Sequence, residues 1–340
     1  MNIAVLTFDN PESACARYRV LAPLRHEGVN VAWAVDSRGD SHAVDGEVLQ
    51  QADVILVQRF FPLDFTEPLL EACFAGGKPV IYDTDDLLQA VPEDNPQHPL
   101  ALRTLRTLNR YARRFSAVSV STESLAAAFA PLNGRIAVTP NRLDPTLWSA
   151  RRPEKTNGPV RILYAGTPTH TADLRALETP LAAVLDRFGP AVELILFGCS
   201  TPFFDHREDV RKVPAVDSYA SYAEAMAGLV FDIGLAPLED TPFNRAKSHV
   251  KWMEYTACGA VGVFSDLPPY ACVRHGRTGL LARAPRAWQD CLETLIENPG
   301  ARLRMASNAR EELLTAHVHG DEPGELLSLC YELAGKSPAR

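Results

Sequence analysis

The amino-acid sequence predicts an α/β protein built from two doubly wound, Rossmann-like domains. Short apolar runs alternate with helical patterns through most of the chain, which is typical of stacked βαβ units around a parallel sheet. The series stops at a polar stretch with Pro and Gly, residues 151–159, and a second series follows it. A length of 340 residues also fits two domains of ordinary size. We therefore expect domains at 1–150 and 160–318, joined by a linker at 151–159.

Each candidate strand is a short run of apolar and often β-branched residues. In the first domain the candidates are Ile3–Leu6, Val29–Val35, Val54–Gln58, Pro79–Tyr82, Ala117–Val120 and Ile136–Val138. In the second domain they are Arg161–Ala165, Glu193–Phe197, Phe231–Ala236, Val261–Phe264 and Gly279–Leu281. Two such domains leave a cleft between them, and clefts of this kind are preferred places for small ligands.

Composition and charge exclude several classes of protein. The chain is 46% hydrophobic with a net charge of −8, and neither half has the basic field of a nucleic-acid binder. Its seven cysteines form no C-x-x-C pair, which argues against a disulfide framework or a zinc site and for reduced thiols. No apolar run approaches the roughly 20 residues that span a bilayer. The first residues predict a strand rather than a signal peptide. We therefore expect a cytoplasmic protein.

The segment 231–270 carries the strongest indication of a binding site. It predicts a strand, a loop, a helix over about 244–258, a glycine cap and another strand. The 100° step of such a helix places four polar residues on one narrow arc: Asn244, Lys247, Lys251 and Glu254. The loop before the helix follows a strand end, where open α/β sheets bind ligands. Two ammonium groups and a carboxylate there suit a diphosphate with a sugar diol nearby. The alternative is a solvated helix face with a weak Lys251–Glu254 pair.

A second candidate segment, 164–173, opens the second domain. A strand ends there, a glycine turn follows, and a helix begins near Thr171. The free backbone N–H groups of a helix start suit an anion or a sugar hydroxyl. We expect His170 and Asp173 to face the cleft. The alternative is an ordinary capped turn between a strand and a helix.

Charged residues also follow predicted strand ends in the first domain. Arg17 and Arg19 open the helix after the first strand, and Arg59 ends the third. For these arginines, plain surface charge is the alternative to a binding role. Three aspartates follow the fourth strand: Asp83, Asp85 and Asp86. Helix capping explains one of them and not three, so a metal site is one interpretation of this cluster.

One predicted helix has a basic face. Five arginines lie within about a third of a turn of one another: Arg103, Arg106, Arg110, Arg113 and Arg114. Apolar residues lie opposite, so one interpretation is the solvated face of a helix packed on the sheet. The alternative is an acceptor-side patch for anionic lipid headgroups or a lipid diphosphate, which would bring the protein to the inner face of a membrane.

Several segments resemble the sugar-nucleotide site of GT-B-fold glycosyltransferases, in particular glycosyltransferase family 4. Residues 257–266 read ACGAVGVFSD, similar to the family's A-C-G-x-P-V-V-x-S-D, and 274–281 read RHGRTGLL, similar to D-G-x-T-G-L-L. Residues 166–173, GTPTHTAD, resemble a donor-side loop of related polysaccharide enzymes. The resemblance covers most of the chain. It implies the GT-B fold, in which a last helix, here within 319–340, crosses back onto the first domain.

The resemblance implies an enzyme that moves a sugar from a nucleoside-diphosphate sugar to a glycan, a lipid-linked or a protein acceptor, with retention of configuration. It implies no cofactor and no metal ion. Glu254 would hold the donor ribose. The expected catalytic residues are Lys247, Asp85 and His170. The other expected donor-binding residues are Gly166, Thr167, Thr169, Asp173, Asn244, Ser248 and Lys251. On the acceptor side we expect Arg17, Arg19, Arg59 and Asp86.

The sequence departs from the family's pattern at two positions. Asp85 stands where the family has a histidine near the reacting sugar, and Ala246 stands where a glutamate contacts the donor sugar. Other residues of this segment would then contact the sugar, or the donor is unusual. Two further functions stay open: a sugar-nucleotide epimerase or phosphorylase on the same fold, and a non-catalytic partner protein.

Overall fold

The computed structural model describes residues 1–38, 41–148 and 158–337. The chain forms two compact units: unit 1 is Met1–Arg142, Arg245–Ser248 and His319–Arg340, and unit 2 is Leu143–Asn244 and His249–Val318. The predicted linker, 151–159, lies almost entirely outside the described residues. Each unit is built around a six-stranded parallel sheet, so the predicted α/β fold class is confirmed.

The strands are β1 (Asn2–Leu6), β2 (Asn30–Trp33), β3 (Val35–Arg38), β4 (Ser41–Val44), β5 (Val54–Gln58), β6 (Val80–Thr84), β7 (Ala117–Val120), β8 (Ile136–Val138), β9 (Val160–Ala165), β10 (Val192–Phe197), β11 (Val210–Val213), β12 (Ile233–Ala236), β13 (Val261–Ser265) and β14 (Leu280–Ala282). The helices are α1 (Ala14–Ala16, continued by a π-turn over Arg17–Leu21), α2 (Gly46–Gln51), α3 (Glu67–Ala75), α4 (His98–Tyr111), α5 (Glu123–Phe129), α6 (Thr171–Arg175), α7 (Glu178–Phe188), α8 (Pro202–Asp205), α9 (Tyr219–Leu229), α10 (Pro242–Arg245), α11 (Val250–Ala257), α12 (Pro285–Glu297), α13 (Pro299–Ala316) and α14 (Glu325–Ala334). In the described part of the chain, no helix combines the length and the hydropathy needed to cross a bilayer.

The sheet of unit 1 has the strand order β2-β1-β5-β6-β7-β8, with all neighbours parallel. Its central strands are buried on both faces, which explains their nearly continuous apolar sequences. Helix α14 belongs to this unit, and its apolar residues share a core with β1, β5 and β6. The strand order reverses between β1 and β5. In open α/β sheets, ligands bind beyond the carboxyl ends of the strands at such a reversal.

The predicted strand Val29–Val35 is wrong in extent, because the chain turns at Ala34. The backbone N–H of Ala34 donates to the carbonyl of Val5, and the carbonyl of Ala34 accepts from Asp45. Strand β2 therefore ends at Trp33, and β3 leaves the sheet to pair with β4 in an antiparallel hairpin.

The sheet of unit 2 has the strand order β11-β10-β9-β12-β13-β14, also fully parallel. This is the order of a dinucleotide-binding Rossmann sheet, and it reverses between β9 and β12. Leu163 of β9 pairs with Gly234 of β12 at the reversal. The edge strand β11 is absent from our sequence predictions. Its sequence is VRKV, and charged residues of this kind are common on edge strands and hide the apolar pattern.

The predicted helix over 244–258 is interrupted. Helix α10 ends at Arg245, and α11 begins only at Val250. Ala246 between them is buried in the core of unit 1, so tertiary contacts override the helical periodicity of this stretch. The predicted polar arc is therefore wrong: Asn244 lies in α10, Lys247 lies between the helices, and only the last two of its four residues share α11.

Close packing at Gly234 yields a prediction about stability. A Cβ atom at this position of β12 would overlap the buried ring of Tyr255, whereas a Cβ at Gly228 of α9 would meet no atom within 4 Å. We expect Gly234→Ala to lower the free energy of unfolding by about 1–3 kcal/mol through overpacking. The control Gly228→Ala should leave it unchanged or raise it by up to about 1 kcal/mol. Urea denaturation measures both, and equal stabilities would contradict the packing described here.

Candidate functional site

The carboxyl ends of β9 and β10 meet in unit 2 at two glycines. Gly166 follows β9, and its N–H donates to the carbonyl of Phe197 at the end of β10. Gly198 has a φ of +87°, and a Cβ there would overlap the carbonyl oxygen of Gly166. Position 198 therefore requires glycine for the two loops to approach this closely. Beyond Gly166, the hydroxyls of Thr167 and Thr169 are 2.7 Å apart and exposed.

Asp173 organises the polar residues beyond this edge. It is 5% exposed, and its Oδ2 lies 2.9 Å from Nδ1 of His170. Its Oδ1 accepts hydrogen bonds from the backbone N–H of Glu239 and from the side-chain amide of Asn244. One carboxylate thus joins the loop after β9 to the loop after β12, the two strands at the reversal. The structure brings three predicted site residues together here: His170, Asp173 and Asn244.

A second polar group of unit 2 surrounds Glu254 of α11. This side chain is 2% exposed, although we predicted it on a polar face. Its Oε1 accepts from the hydroxyl of Tyr219 at 3.0 Å, and its Oε2 accepts from the hydroxyl of Tyr222 and from Nζ of Lys251, each at 2.9 Å. Lys251 Nζ also donates to the Tyr222 hydroxyl at 2.8 Å. The indole N–H of Trp148 donates in turn to Tyr219.

Sequence reasoning missed both tyrosines. They lie three residues apart on α9, where nothing in the local sequence distinguishes them from other helical aromatics. Tyr222 stacks on Phe197 at the end of β10, with ring centroids 5.4 Å apart. Burial raises the pKa of the Cys199 thiol, and the charges of Lys251 and Asp173, one from each polar group, also act on it. We call the set Gly166, His170, Asp173, Asn244, Lys251 and Glu254 the unit 2 cluster.

In unit 1, Arg19 is a core residue, and the predicted acceptor-side role does not fit its position. The side chain is 1% exposed and forms an ion pair with Asp83, with Nη2 2.6 Å from Oδ1. It also donates to Thr139, Ser119 and the side-chain carbonyl of Asn141. Asp83 therefore belongs to the interior of the sheet. By contrast, Arg17 reaches Glu12 on the surface.

Arg59 lies at the strand reversal of unit 1, and three aspartates surround its guanidinium group. It is 6% exposed, with Nη2 2.6 Å from Asp86, Nε 3.6 Å from Asp85 and Nη1 3.7 Å from Asp9. Its Nη1 also donates to the thiol of Cys15. Burial raises the pKa of the Asp85 carboxyl group, and the charge of Asp86 raises it further, against the opposing charge of Arg59. We call these five residues the Arg59 cluster.

The backbone of Arg59 is unusual as well. Its φ is +44°, a left-handed conformation that is uncommon for residues other than glycine and is often found at functional sites. The N–H of Arg59 donates to the carbonyl of Asp83, and its carbonyl accepts from the hydroxyl of Tyr82. The neighbouring strand β6 thus holds the residue in this conformation.

Lys247 and Ser248 join unit 1. Lys247 Nζ lies 3.6 Å from Oδ1 of Asp86, and the Ser248 hydroxyl accepts from the side-chain amide of Asn141. Lys247 and Ser248 therefore belong to unit 1, whereas Asn244, Lys251 and Glu254 belong to unit 2. Lys247 lies beside Asp86, which we predicted on the acceptor side. Among the residues that the structure describes, no three His, Cys, Asp or Glu side chains are arranged to hold a metal ion.

The predicted basic face spans α4 and the turn that follows it, and three of its five arginines pair with acidic residues. Three ion pairs join these arginines to acidic residues in and just before α3: Arg103 with Asp64, Arg110 with Glu67, and Arg114 with Glu71. These acidic residues recur along the turn before α3 and along α3 itself, at the spacing of one helix face. The face is thus a surface ion-pair ladder, which leaves less positive charge for anionic lipids than the sequence suggested.

A comparison of the sequence with family models supports the interpretation of unit 2. Residues 181–322 match the family model described as Glycosyl transferase-like. This stretch, which lies mostly in unit 2, is therefore glycosyl transferase-like in sequence. The predicted class of enzyme is thereby confirmed, while membership of family 4 stays a prediction. No curated protein matches the sequence.

Three solved structures resemble this chain along nearly its whole length. Anabaena HepE in complex with UDP-glucose is 18% identical, with a TM-score of 0.68, and the match covers 98% of both chains. Sucrose-phosphate synthase from Thermosynechococcus elongatus is 14% identical, with a TM-score of 0.64 and coverage of 94% of this chain and 95% of that one. WaaG, a glycosyltransferase involved in lipopolysaccharide biosynthesis, is 14% identical, with a TM-score of 0.63 and coverage of 98% of both. The GT-B fold is confirmed.

The contrast between Arg19 and Arg17 yields a prediction about stability. Arg19→Met would leave Asp83 buried without its partner, and breaking a buried pair in this way costs about 3–5 kcal/mol. Arg17→Met would remove a surface pair with Glu12, worth at most about 1 kcal/mol. Chemical denaturation of the two variants measures the difference. If Arg19→Met were as stable as Arg17→Met, the buried network would not hold this sheet edge together.

Proposed function

We propose that this protein transfers a sugar from a nucleoside-diphosphate sugar to a hydroxyl group of an acceptor, and that unit 2 binds the donor. The observation that carries the proposal is the unit 2 cluster, which combines a buried carboxylate, an ammonium group and an aspartate-linked histidine at the strand reversal. Charged and polar groups at the carboxyl end of a Rossmann sheet suit a ligand with a diphosphate and sugar hydroxyls.

Glu254 would accept hydrogen bonds from the ribose hydroxyls of the donor. In the structure its oxygens accept from the Tyr219 and Tyr222 hydroxyls, one on each oxygen. Two hydroxyls already lie where a ribose diol would donate. Donor binding would therefore replace at least one tyrosine hydroxyl, and the freed ring would remain beside the nucleotide.

Lys251 would neutralise the diphosphate of the donor. Its side chain is 27% exposed, so the ammonium group can contact a ligand while it pairs with Glu254. Negative charge builds on the diphosphate as the glycosidic bond breaks, and a fixed cation in a partly buried site stabilises that charge. His170 and Asp173 would position the sugar, with Thr167, Thr169 and Asn244 supplying hydroxyl and amide contacts.

We further propose that the reaction retains the anomeric configuration and that Lys247 and Asp85 are catalytic residues. Burial and the charge of Asp86 raise the pKa of the Asp85 carboxyl group, a direction that suits proton exchange with a reacting hydroxyl. The acceptor is a glycan, a lipid-linked or a protein molecule. Because three of the α4 arginines are paired with acidic residues, we do not extend the proposal to a membrane.

UDP-sugars are the first donors to test, since HepE was solved with UDP and with UDP-glucose. A panel of UDP-, GDP-, ADP- and dTDP-sugars in a thermal-shift assay would identify the base. A true ligand at 100 times its dissociation constant adds about 2.7 kcal/mol of stability. Analysis of the products with a bound donor then separates transfer from epimerisation, and the absence of any turnover with bound donor would favour a non-catalytic partner.

Glu254→Gln tests the ribose role. Loss of the charge should weaken nucleotide binding by about 1.5–3 kcal/mol, the scale of a hydrogen bond to a charged group. Glu224→Gln is the matched control, because Glu224 lies exposed on α9 and should bind the nucleotide like the parent. Calorimetric titration measures both affinities. An unchanged affinity in folded Glu254→Gln would rule out this role.

The two lysines should affect different kinetic constants. Lys251→Ala should raise the Michaelis constant for the donor by about 10-fold or more, because a charge-assisted contact to the diphosphate is lost. Lys247→Ala should lower turnover by about 10²-fold, on the scale of losing one donor that acts mainly in the transition state. Lys212→Ala, on the exposed edge strand β11, should change neither constant. A larger loss of turnover in Lys251→Ala than in Lys247→Ala would reverse the assignment.

A further inference from the structure

We propose that unit 1 binds the acceptor as an uncharged, hydroxyl-rich saccharide at the carboxyl ends of β1, β5 and β6. The proposal rests on the proposed function, since it assigns the chemistry of the second substrate of the transfer. Two features meet at these strand ends. One is the Arg59 cluster, and the other is an aromatic platform made of Phe8, His42, Phe61 and Phe65.

The aromatic platform is built from two neighbouring strand ends and the hairpin. Phe8 follows β1, and its ring lies 4.7 Å from His42 of β4, 5.0 Å from Phe61 and 5.8 Å from Phe65. His42 stacks on Phe65 with centroids 5.5 Å apart, and its Nδ1 lies 2.9 Å from the hydroxyl of Ser37. Phe65 is 52% exposed. His42 is exposed and Phe8 is partly exposed, whereas Phe61 is buried beneath them. Three of the four rings thus form an accessible apolar surface near the carboxyl edge of the sheet, and Phe61 packs against it.

Such a surface suits the apolar face of a sugar ring. The C–H bonds of a pyranose carry partial positive charge because each carbon bears an oxygen, and the face of an aromatic ring carries negative charge. A phosphate or another anion gains nothing from the same ring faces. The platform therefore favours a saccharide over an anionic headgroup.

The Arg59 cluster begins next to the platform along the chain, because Asp9 follows Phe8 and Arg59 precedes Phe60 and Phe61. The Oδ2 of Asp9 and the Oδ1 of Asp85 are buried and have no hydrogen-bond partner, and neither has Nε of the nearly buried Arg59. Unpaired buried polar atoms are costly.

A hydroxyl group fits these unpaired atoms better than any other single group. Arg59 Nε faces Asp85 Oδ1 across 3.6 Å, and Arg59 Nη1 faces Asp9 Oδ2 across 3.7 Å, both too long for a hydrogen bond. A hydroxyl accepts from the guanidinium and donates to the carboxylate. At one gap it would satisfy both Arg59 Nε and Asp85 Oδ1, and at the other it would satisfy Asp9 Oδ2, since Nη1 already donates to Cys15. Both aspartates are partly exposed, at 17% and 27%, so a modest rotation of each carboxyl group opens its gap to a ligand.

The charge of the cluster disfavours an anionic acceptor. Three carboxylates, Asp9, Asp85 and Asp86, surround one guanidinium and the ammonium group of Lys247. Burial and the neighbouring carboxylate already raise the pKa of Asp85, so additional negative charge at this point is unfavourable. A phosphorylated sugar should therefore bind more weakly than its neutral counterpart.

Saturation-transfer NMR on the full chain tests the proposal. The probes are the methyl glycosides of glucose, galactose, mannose and N-acetylglucosamine, compared with glucose 6-phosphate and mannose 6-phosphate. We expect at least one neutral glycoside to bind more tightly than either phosphate. Phe65→Ala should weaken that binding by about 5- to 10-fold, the scale of one aromatic contact. Phe203→Ala, which removes a comparably exposed ring in unit 2, should not change it.

A charge variant gives the second arm of the experiment. Asp85→Asn should reduce the ratio of the affinity for a neutral sugar to the affinity for a phosphorylated sugar. The substitution removes a negative charge and keeps the shape of the side chain. Three results would each overturn the proposal. The parent protein could bind the sugar phosphates more tightly than the glycosides, it could bind no neutral glycoside, or Phe65→Ala could bind the glycoside as tightly as the parent. UDP-glucose is titrated in parallel: if it binds while the glycosides fail, only this inference fails, whereas loss of all nucleotide-sugar binding counts against the proposed function itself.

Discussion

The parallel direction of the strands is the constraint on which both candidate sites depend. All carboxyl ends of a parallel sheet lie at one edge, and where the strand order reverses, two adjacent loops diverge and leave room for a ligand. The two sheets reverse at β1 and β5 and at β9 and β12. The residues of the Arg59 cluster and of the unit 2 cluster follow these strands or neighbouring strands in the sequence. The folds of the two units therefore explain why residues far apart in sequence, such as Asp173 and Asn244, are hydrogen-bonded.

Arg19 and Arg59 of unit 1 show how the hydrogen bonds to a buried charge distinguish a structural role from a candidate functional one. Arg19 and Arg59 are both buried and both face aspartates. Arg19 has partners for its guanidinium nitrogens at hydrogen-bond distance, so its charge is compensated within the protein. Arg59 leaves Nε unpaired, faces two of its aspartates across longer gaps, and has a left-handed backbone conformation. Compensation of this incomplete kind is costly to a fold unless a ligand completes it.

Much of the fold could be predicted from the sequence because buried parallel strands carry continuous apolar runs. The strands β5, β7 and β8 have the bounds that the sequence predicts. The sequence did not predict the edge strand β11 or the β3–β4 hairpin, because many of their residues are polar and their positions depend on pairing with other strands. The site was less predictable. Periodicity cannot show that Ala246 packs into another core and interrupts a helix, nor that α9 supplies two tyrosine hydroxyls to Glu254. It likewise cannot show that the aspartates at 83, 85 and 86 face two different arginines.

The central claim is that unit 2 binds a nucleoside-diphosphate sugar through the loops after β9 and β12 and through α11. Hydrogen–deuterium exchange of the full chain, with and without a saturating UDP-sugar that the thermal-shift panel has identified, tests this claim directly. We expect slower exchange at 166–173, 239–244 and 250–257, because ligand contacts and the closing of these loops protect their amides. Unchanged exchange in these three segments, or protection confined to 8–19, 58–61 and 84–87 of unit 1, would contradict the account.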